Sequence, residues 1–196
     1  MTDFITFFTN NWKELVPIIL SVIALTISIN TELRLKPTLD VTFEEELFLT
    51  PEIITTINRY DHPDGFFGIY LKVVNPSDID IAFFDLIVLD ADTLQKNYQI
   101  FTQLVLDGGT VGQYRFLSNG TEVNLNAPKT NYGIFKAHSY TRYEVLFDLG
   151  DELPENIRVR FKISIKSRRS IPNTKYRKKF KYYSATYNLK SGKRTK

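Results

Sequence analysis

Fifteen consecutive residues, Leu15–Ile29, carry no charge, and their only polar members are Ser21, Thr26 and Ser28. A helix built from LVPIILSVIALTISI has no polar face, so it must be buried in a large core or in lipid. A bilayer span needs about 20 mostly apolar residues at 1.5 Å rise each. Trp12 on one flank and Asn30 and Thr31 on the other supply the remainder. The stretch therefore predicts a transmembrane helix over residues 12–31, anchored by Trp12, Leu15, Pro17, Ile18, Ile19, Leu20, Val22, Ile23, Leu25, Ile27 and Ile29. Trp favours the headgroup level, and Asn11 with Glu14 resembles a capping pair. Pro17 removes one hydrogen bond near the helix start, which a membrane helix tolerates with a slight kink.

Two other readings compete. A cleaved signal peptide needs a basic start and a small-x-small exit, but Lys13 stands beside Glu14 and no such exit follows. A buried core helix suits runs of about 10–14 residues, and here no second helix is predicted for it to pack on. Upstream, in residues 1–11, Phe4, Ile5, Phe7 and Phe8 are spaced for an interfacial helix in the headgroups; a frayed terminus is the alternative. Orientation follows Lys and Arg close to the span. Lys13 precedes it and the compact pair Arg34 and Lys36 follows, which leans towards a cytoplasmic C-terminal domain in a single-pass protein of the cell membrane. Residues 32–37 read as a linker, since Pro37 drives Lys36 away from the helical region.

From Thr38 the period changes to two. Leu39, Val41 and Phe43 alternate with Thr38, Asp40 and Thr42, and Glu45 then falls on the apolar phase, predicting a bulge or a strand edge. Ile53–Ile57 is a second short strand, and Asp61–Gly65 predicts a turn in which Gly65 supplies a positive φ. Phe66–Val74 and Ile79–Leu89, the most hydrophobic strands, read as a central hairpin about Asn75–Asp78. Tyr98–Leu106, Gln113–Leu117, Thr121–Leu125, Tyr132–Lys136, Tyr140–Leu149, Arg158–Lys166 and Lys179–Leu189 continue the pattern, with Asn119-Gly120 as the strongest hairpin signal. About ten strands with no further helix predict an all-β domain over residues 38–189, an antiparallel immunoglobulin-like β-sandwich. Residues 190–196 read as a basic disordered tail.

The stretch IYLKVVNPSDIDIAFFDLIVLDAD, residues 69–92, resembles the core of LEA14-like and FxLYD-type bacterial sandwich domains: a strand, an Asn-Pro turn, then a strand ending in an acidic turn. The order of anchor then sandwich is similar to that of small single-pass membrane proteins of Gram-positive bacteria and their phages. The chain lacks the lipobox cysteine of the secreted members. The resemblance implies a binding or scaffold module and carries over no catalytic residue.

Charge is distributed unevenly. Residues 1–155 hold 10 Lys/Arg against all 22 Asp/Glu, whereas residues 156–196 hold 15 Lys/Arg and no acid. Val159, Phe161, Ile163 and Ile165 alternate with Arg158, Arg160, Lys162 and Lys166, so one strand face goes to the core and the other carries cations about 6.6 Å apart. Arg168, Arg169, Lys175, Arg177, Lys178, Lys179 and Lys181 continue the row around the connecting segment. Such a hairpin favours anionic lipid or an acidic protein partner over a merely solvated face. The alternative is a membrane-tethered nucleic-acid-binding protein, as in phage exclusion, with Tyr182, Tyr183 and Tyr187 stacking on bases; in a strand, aromatics more commonly pack the sheet. If lipid is the target, the Arg168/Arg169 turn should lie at the end of the domain where the chain arrives from the anchor.

Little suggests catalysis. The chain has no cysteine, so it has no thiolate site and no disulfide. His62 sits among turn formers and His138 before a strand, with no G-x-S-x-G and no Gly-rich phosphate loop. Glu44-Glu45-Glu46 reads as a solvated edge that discourages strand pairing. The sequence thus points to a non-enzymatic protein, with no catalytic or metal site, no cofactor and no small-molecule substrate.

Overall fold

Two of the hydroxyls that interrupt the apolar run, those of Ser21 and Thr26, and that of Thr31 just beyond it satisfy themselves within the helix. Ser21, Thr26 and Thr31 each donate to the carbonyl four residues earlier, on Pro17, Val22 and Ile27, at 2.7, 2.8 and 2.9 Å. Helix α1 accordingly runs unbroken over Trp12–Arg34. Its segment Trp12–Glu32 is long and apolar enough to cross a membrane, and none of its apolar window is buried. The computed structural model describes residues 12–34, 37–107, 113–118, 120–150, 153–165 and 179–195. The chain divides into two units, Met1–Pro37 and Thr38–Lys196. The segment 1–11, read above as interfacial, lies outside the described residues.

In the second unit the strands are β1 Asp40–Phe43, β2 Phe48–Ile54, β3 Arg59–Asn75, β4 Ile81–Asp90, β5 Asn97–Phe101, β6 Arg115–Ser118, β7 Thr121–Asn124, β8 Gly133–Phe135, β9 Ser139–Asp148, β10 Asn156–Ile165, β11 Lys179–Asn188 and β12 Lys193–Thr195, with one short helix, α2 Gln103–Asp107. The named strands pair antiparallel, in the order β12-β11-β10-β4-β5-β9-β3-β2-β6-β7, with β1 on β3 and β8 on β4. Strand β5 changes partner midway. Asn97 and Tyr98 face Leu89 and Val88 of β4, whereas Gln99–Phe101 face Asp148–Leu146 of β9. At the other end of the path the Leu47 amide donates to the Gly192 carbonyl (2.8 Å) and the Arg194 amide to Glu45 (2.7 Å). Because β1 and β2 both lie on β3, these bonds link the β12 end of the path back to the β1–β2 break, with β6 and β7 outside the link.

Period-two alternation explains the main core. Val73, Leu71 and Ile69 from β3, Val145 and Phe147 from β9, Phe83 and Val88 from β4, Val159, Phe161 and Ile163 from β10, and Ala185 and Tyr187 from β11 pack in one cluster. A second cluster lies elsewhere, with Ile53, Phe66, Phe101, Leu106, Tyr114, Phe116, Leu125 and Leu146. It was not anticipated, because it joins Phe66 of β3 and Leu146 of β9 to residues from short strands, from α2 and from the coil between them.

Four expectations are corrected. Phe66–Val74 and Ile79–Leu89 do not form a hairpin: β3 pairs with β1, β2 and β9, and β4 with β5, β8 and β10. Buried Asn75 turns the chain between them, its amide donating to the carbonyls of Ile79 (2.9 Å), Phe135 (3.0 Å) and Lys136 (2.9 Å). Its Oδ1 accepts from the amide and hydroxyl of Ser77, at 3.1 and 2.6 Å. Asp61–Gly65 is not the reversal either. The β2–β3 register jumps from Thr50↔Phe66 to Glu52↔Asp61, so four residues bulge out of β3. Gly65 does take a positive φ of 74° there, while the reversal lies at Thr55–Asn58, where the Thr55 hydroxyl accepts from the Asn58 amide at 2.8 Å. Strand expected through Leu106 instead becomes α2, because Thr102 serves as an N-cap, its hydroxyl accepting from Val105 at 3.3 Å. Lastly, Lys193–Thr195 forms β12 where a disordered tail was expected. An ion pair from Lys193 to Glu46 (3.6 Å) and a bond from Arg194 to the Phe43 carbonyl (3.3 Å) hold it beside the acidic run.

Candidate functional site

The alternation on β10 follows the sequence pattern. Ile157, Val159, Phe161 and Ile163 are buried, and Arg158, Arg160 and Lys162 occupy the opposite phase, half-buried. The strand lies in the sheet interior, between β4 and β11, so its cations rest on neighbours rather than on open solvent. Arg158 donates through Nε to the Thr186 hydroxyl at 3.3 Å. The Arg160 Nε is buried and has no hydrogen-bond partner among the described residues. Lys162 pairs with Asp85 and holds its Nζ 4.6 Å from the centre of the Phe180 ring. On β11, Lys181 lies over the Tyr183 ring at 4.7 Å, and the Lys179 backbone is in register with Ile165. Lys166, Arg168, Arg169, Lys175, Arg177 and Lys178 lie outside the described residues.

Asp85 was not anticipated. Opposite Phe161 the β4–β10 register slips from Arg160↔Ile87 to Lys162↔Phe84, leaving two residues of β4 against one. Asp85 absorbs that bulge with a φ of +53°, a conformation that Asp tolerates better than most side chains. The bulge aims its carboxylate at Lys162. The available signal was an acid standing alone inside the apolar run FFDLIV. Around the pair, Phe84, Asp85, Lys162, Ser164 and Phe180 line a shallow cavity of about 210 Å³.

The three tyrosines separate. Tyr187 is buried in the core and Tyr183 stacks on Phe161 at 5.2 Å, while Tyr182 is 59% exposed. Of the anchor residues, Trp12, Pro17, Ile18, Ile19, Leu20, Val22, Ile23, Leu25, Ile27 and Ile29 are exposed along α1 and Leu15 is half-exposed. The histidines are kept apart by the fold. His138 contacts Asp78 at 2.8 Å on the surface, and His62 Nδ1 accepts from the Asp64 amide at 3.2 Å. Among the described residues no three His, Cys, Asp or Glu side chains gather as a metal site.

The registers also sort the strand ends. Asp40 of β1 faces Val74, Asn75 faces Ser139, Ile81 faces Phe135, Phe83 faces Ile163, and Ile165 faces Lys179. The start of β1, the end of β10 and the start of β11 therefore share one end of the β unit, the end at which the chain arrives from residue 37. At this end Asp80 is held below the usual carboxylate range by hydrogen bonds from Lys136 and the Ala137 amide. Glu44–Glu46 lie further along, past the end of β1. Comparison of the chain with protein-family models, with curated proteins and with solved structures finds no match.

Proposed function

We propose that this is a non-enzymatic binding or scaffolding module of a bacterial cell membrane, tethered by α1 as a single span and engaging anionic lipid with its basic C-terminal hairpin. One observation carries the reading. The strands that bracket residues 166–178, with six cations and no acid, end where the chain enters the β unit. Each cation near an anionic leaflet contributes about 1 kcal/mol, so a segment of this charge is ample for a protein that is already tethered. In the same reading the β unit is an immunoglobulin-like sandwich. The main core, filled from β1, β3 and β9 on one hand and β4, β10 and β11 on the other, and the partner change of β5 both support two facing layers. Arg34 and Lys36 favour a cytoplasmic β unit.

Trypsin cleavage within residues 166–178 tests the lipid contact. With the full chain in nanodiscs, cleavage slows about tenfold when neutral lipid is replaced by anionic lipid, and added salt abolishes the difference. Equal rates on the two surfaces would overturn the lipid reading in favour of an acidic protein partner. Salt-sensitive retardation of an oligonucleotide would transfer the hairpin to nucleic acid.

A further inference from the structure

The outer face of β8, β4, β10 and β11 carries apolar side chains that remain wholly or partly exposed. Ile134 of β8 stands opposite Ala82 of β4, and Phe180 of β11 opposite Ser164 of β10. In the adjacent row, Lys162 lies between Phe84 on one side and Tyr182 on the other. Ile134 is 55% exposed, Tyr182 59% and Phe84 37%. Phe84 and Phe180 meet edge to face at 6.5 Å, so the rings are held in place rather than collapsed on one another. Strand register puts the whole patch at the end of the β unit where β1 begins.

We infer that this face is a seat for the bilayer interface, with Ile134, Phe84, Phe180 and Tyr182 entering the headgroup region and Lys162 meeting lipid phosphates. The inference rests on α1 spanning the same membrane. Residues 35–37 separate α1 from the β unit and reach about 14 Å from Arg34 to Thr38 even when extended, which makes lipid the ligand at the highest effective concentration. Aromatic rings with a polar tip, and lysines whose stems lie on apolar surface, are the side chains that suit that depth. The chemistry also fits half-buried Lys162: the Asp85 carboxylate that holds it is itself 54% exposed, so a phosphate can replace it.

The absence of cysteine allows a clean test with the full chain in nanodiscs. Tyr182→Cys, Ile134→Cys and, as a control at the opposite end of the unit, Ile57→Cys are each labelled with a polarity-sensitive fluorophore. Ile57 is 68% exposed in the Thr55–Asn58 reversal. Probes at 182 and 134 brighten about twofold and are quenched by nitroxide lipids, while the probe at 57 does neither. Dark, unquenched probes at 182 and 134 in a chain that still floats with lipid overturn the seat and leave the anchor intact. A chain that fails to float without detergent overturns the anchor. Protection of 182 from aqueous quencher by a single-stranded oligonucleotide, and not by lipid, would assign the face to base stacking and overturn the seat.

Discussion

Tyr187 of β11 donates its hydroxyl to the backbone carbonyl of Glu44 at 2.7 Å, across 143 residues of sequence. The ring is buried in the main core, and the bond ties β11 to the break between β1 and β2. Burial chiefly pushes the phenol up to about 12, with the Arg194 charge opposing and the Glu44 charge assisting.

That relationship has a pH signature. The unfolded phenol titrates near 10, so the folded state holds the proton longer. Its contribution is complete below about pH 10 and is lost as pH rises through about 12. Tyr187→Phe should make the alkaline fall in urea stability shallower without abolishing it, because burial also raises Tyr143 and Tyr114. At neutral pH the variant costs about 1 kcal/mol for the lost bond. An unchanged alkaline limb would remove Tyr187 from the account.

Asn75→Ala should be among the most damaging single changes in the β unit. It strips the amide from three backbone carbonyls and the acceptor from Ser77, at a cost of about 3 kcal/mol. Asn75→Asp keeps the shape but turns a carboxylate oxygen towards carbonyls, and should be no better. The urea midpoint of the full chain in micelles measures both; a loss below about 0.5 kcal/mol would show that the corner stands without the network.

At Asp85 the backbone and the ion pair oppose each other. Asp85→Gly relieves the positive φ but loses Lys162, and each effect is about 1 kcal/mol or less. The variant should stay within about 0.5 kcal/mol of the parent. Asp85→Val relieves nothing and adds β-branching, costing about 2 kcal/mol. Thermal unfolding of the pair gives the ranking, and equal midpoints would mean that the bulge moves freely.

Gly68 has no space for a side chain. A Cβ there would meet the Phe48 ring and lie 2.6 Å from Leu146 Cδ2. Gly68→Ala should cost about 2 kcal/mol, and Phe48→Leu should restore part of it in the double variant. No coupling between the two would place the strain on Leu146 instead.

Much of this fold is written in periodicity. The alternation of Val159, Phe161 and Ile163 with Arg158, Arg160 and Lys162 is a one-dimensional pattern, and burial follows it residue by residue. The Asn119-Gly120 signal is likewise local, and Ser118 pairs with Thr121 across it. Partner choice is not local. Nothing between Val74 and Ile79 distinguishes a hairpin from a corner, because the decision lies in carbonyls of Phe135 and Lys136 some sixty residues on. The same applies to one edge of β12: its hairpin with β11 is local, but its other edge meets Glu45–Leu47, far away in sequence. Asp85 was visible as an acid out of phase, but its attachment to Lys162 depends on a register slip that composition does not encode.

The bonds between Glu45–Leu47 and Gly192–Arg194 also bear on how the β unit is made. Strand β1 can meet β3 as soon as some thirty residues have followed it, whereas its neighbour across the break is supplied only with β12. Pairings at such sequence separation form slowly, because loop entropy is lost before the contact returns any energy. During synthesis the edge left open at Glu44–Leu47 waits for almost the whole unit to emerge, and an open edge invites association with other chains. Glu44 is paired with Lys72 of β3, but Glu45 and Glu46 keep charge at that edge that makes the wait safer, since nascent copies repel one another until Lys193 arrives to pair with Glu46.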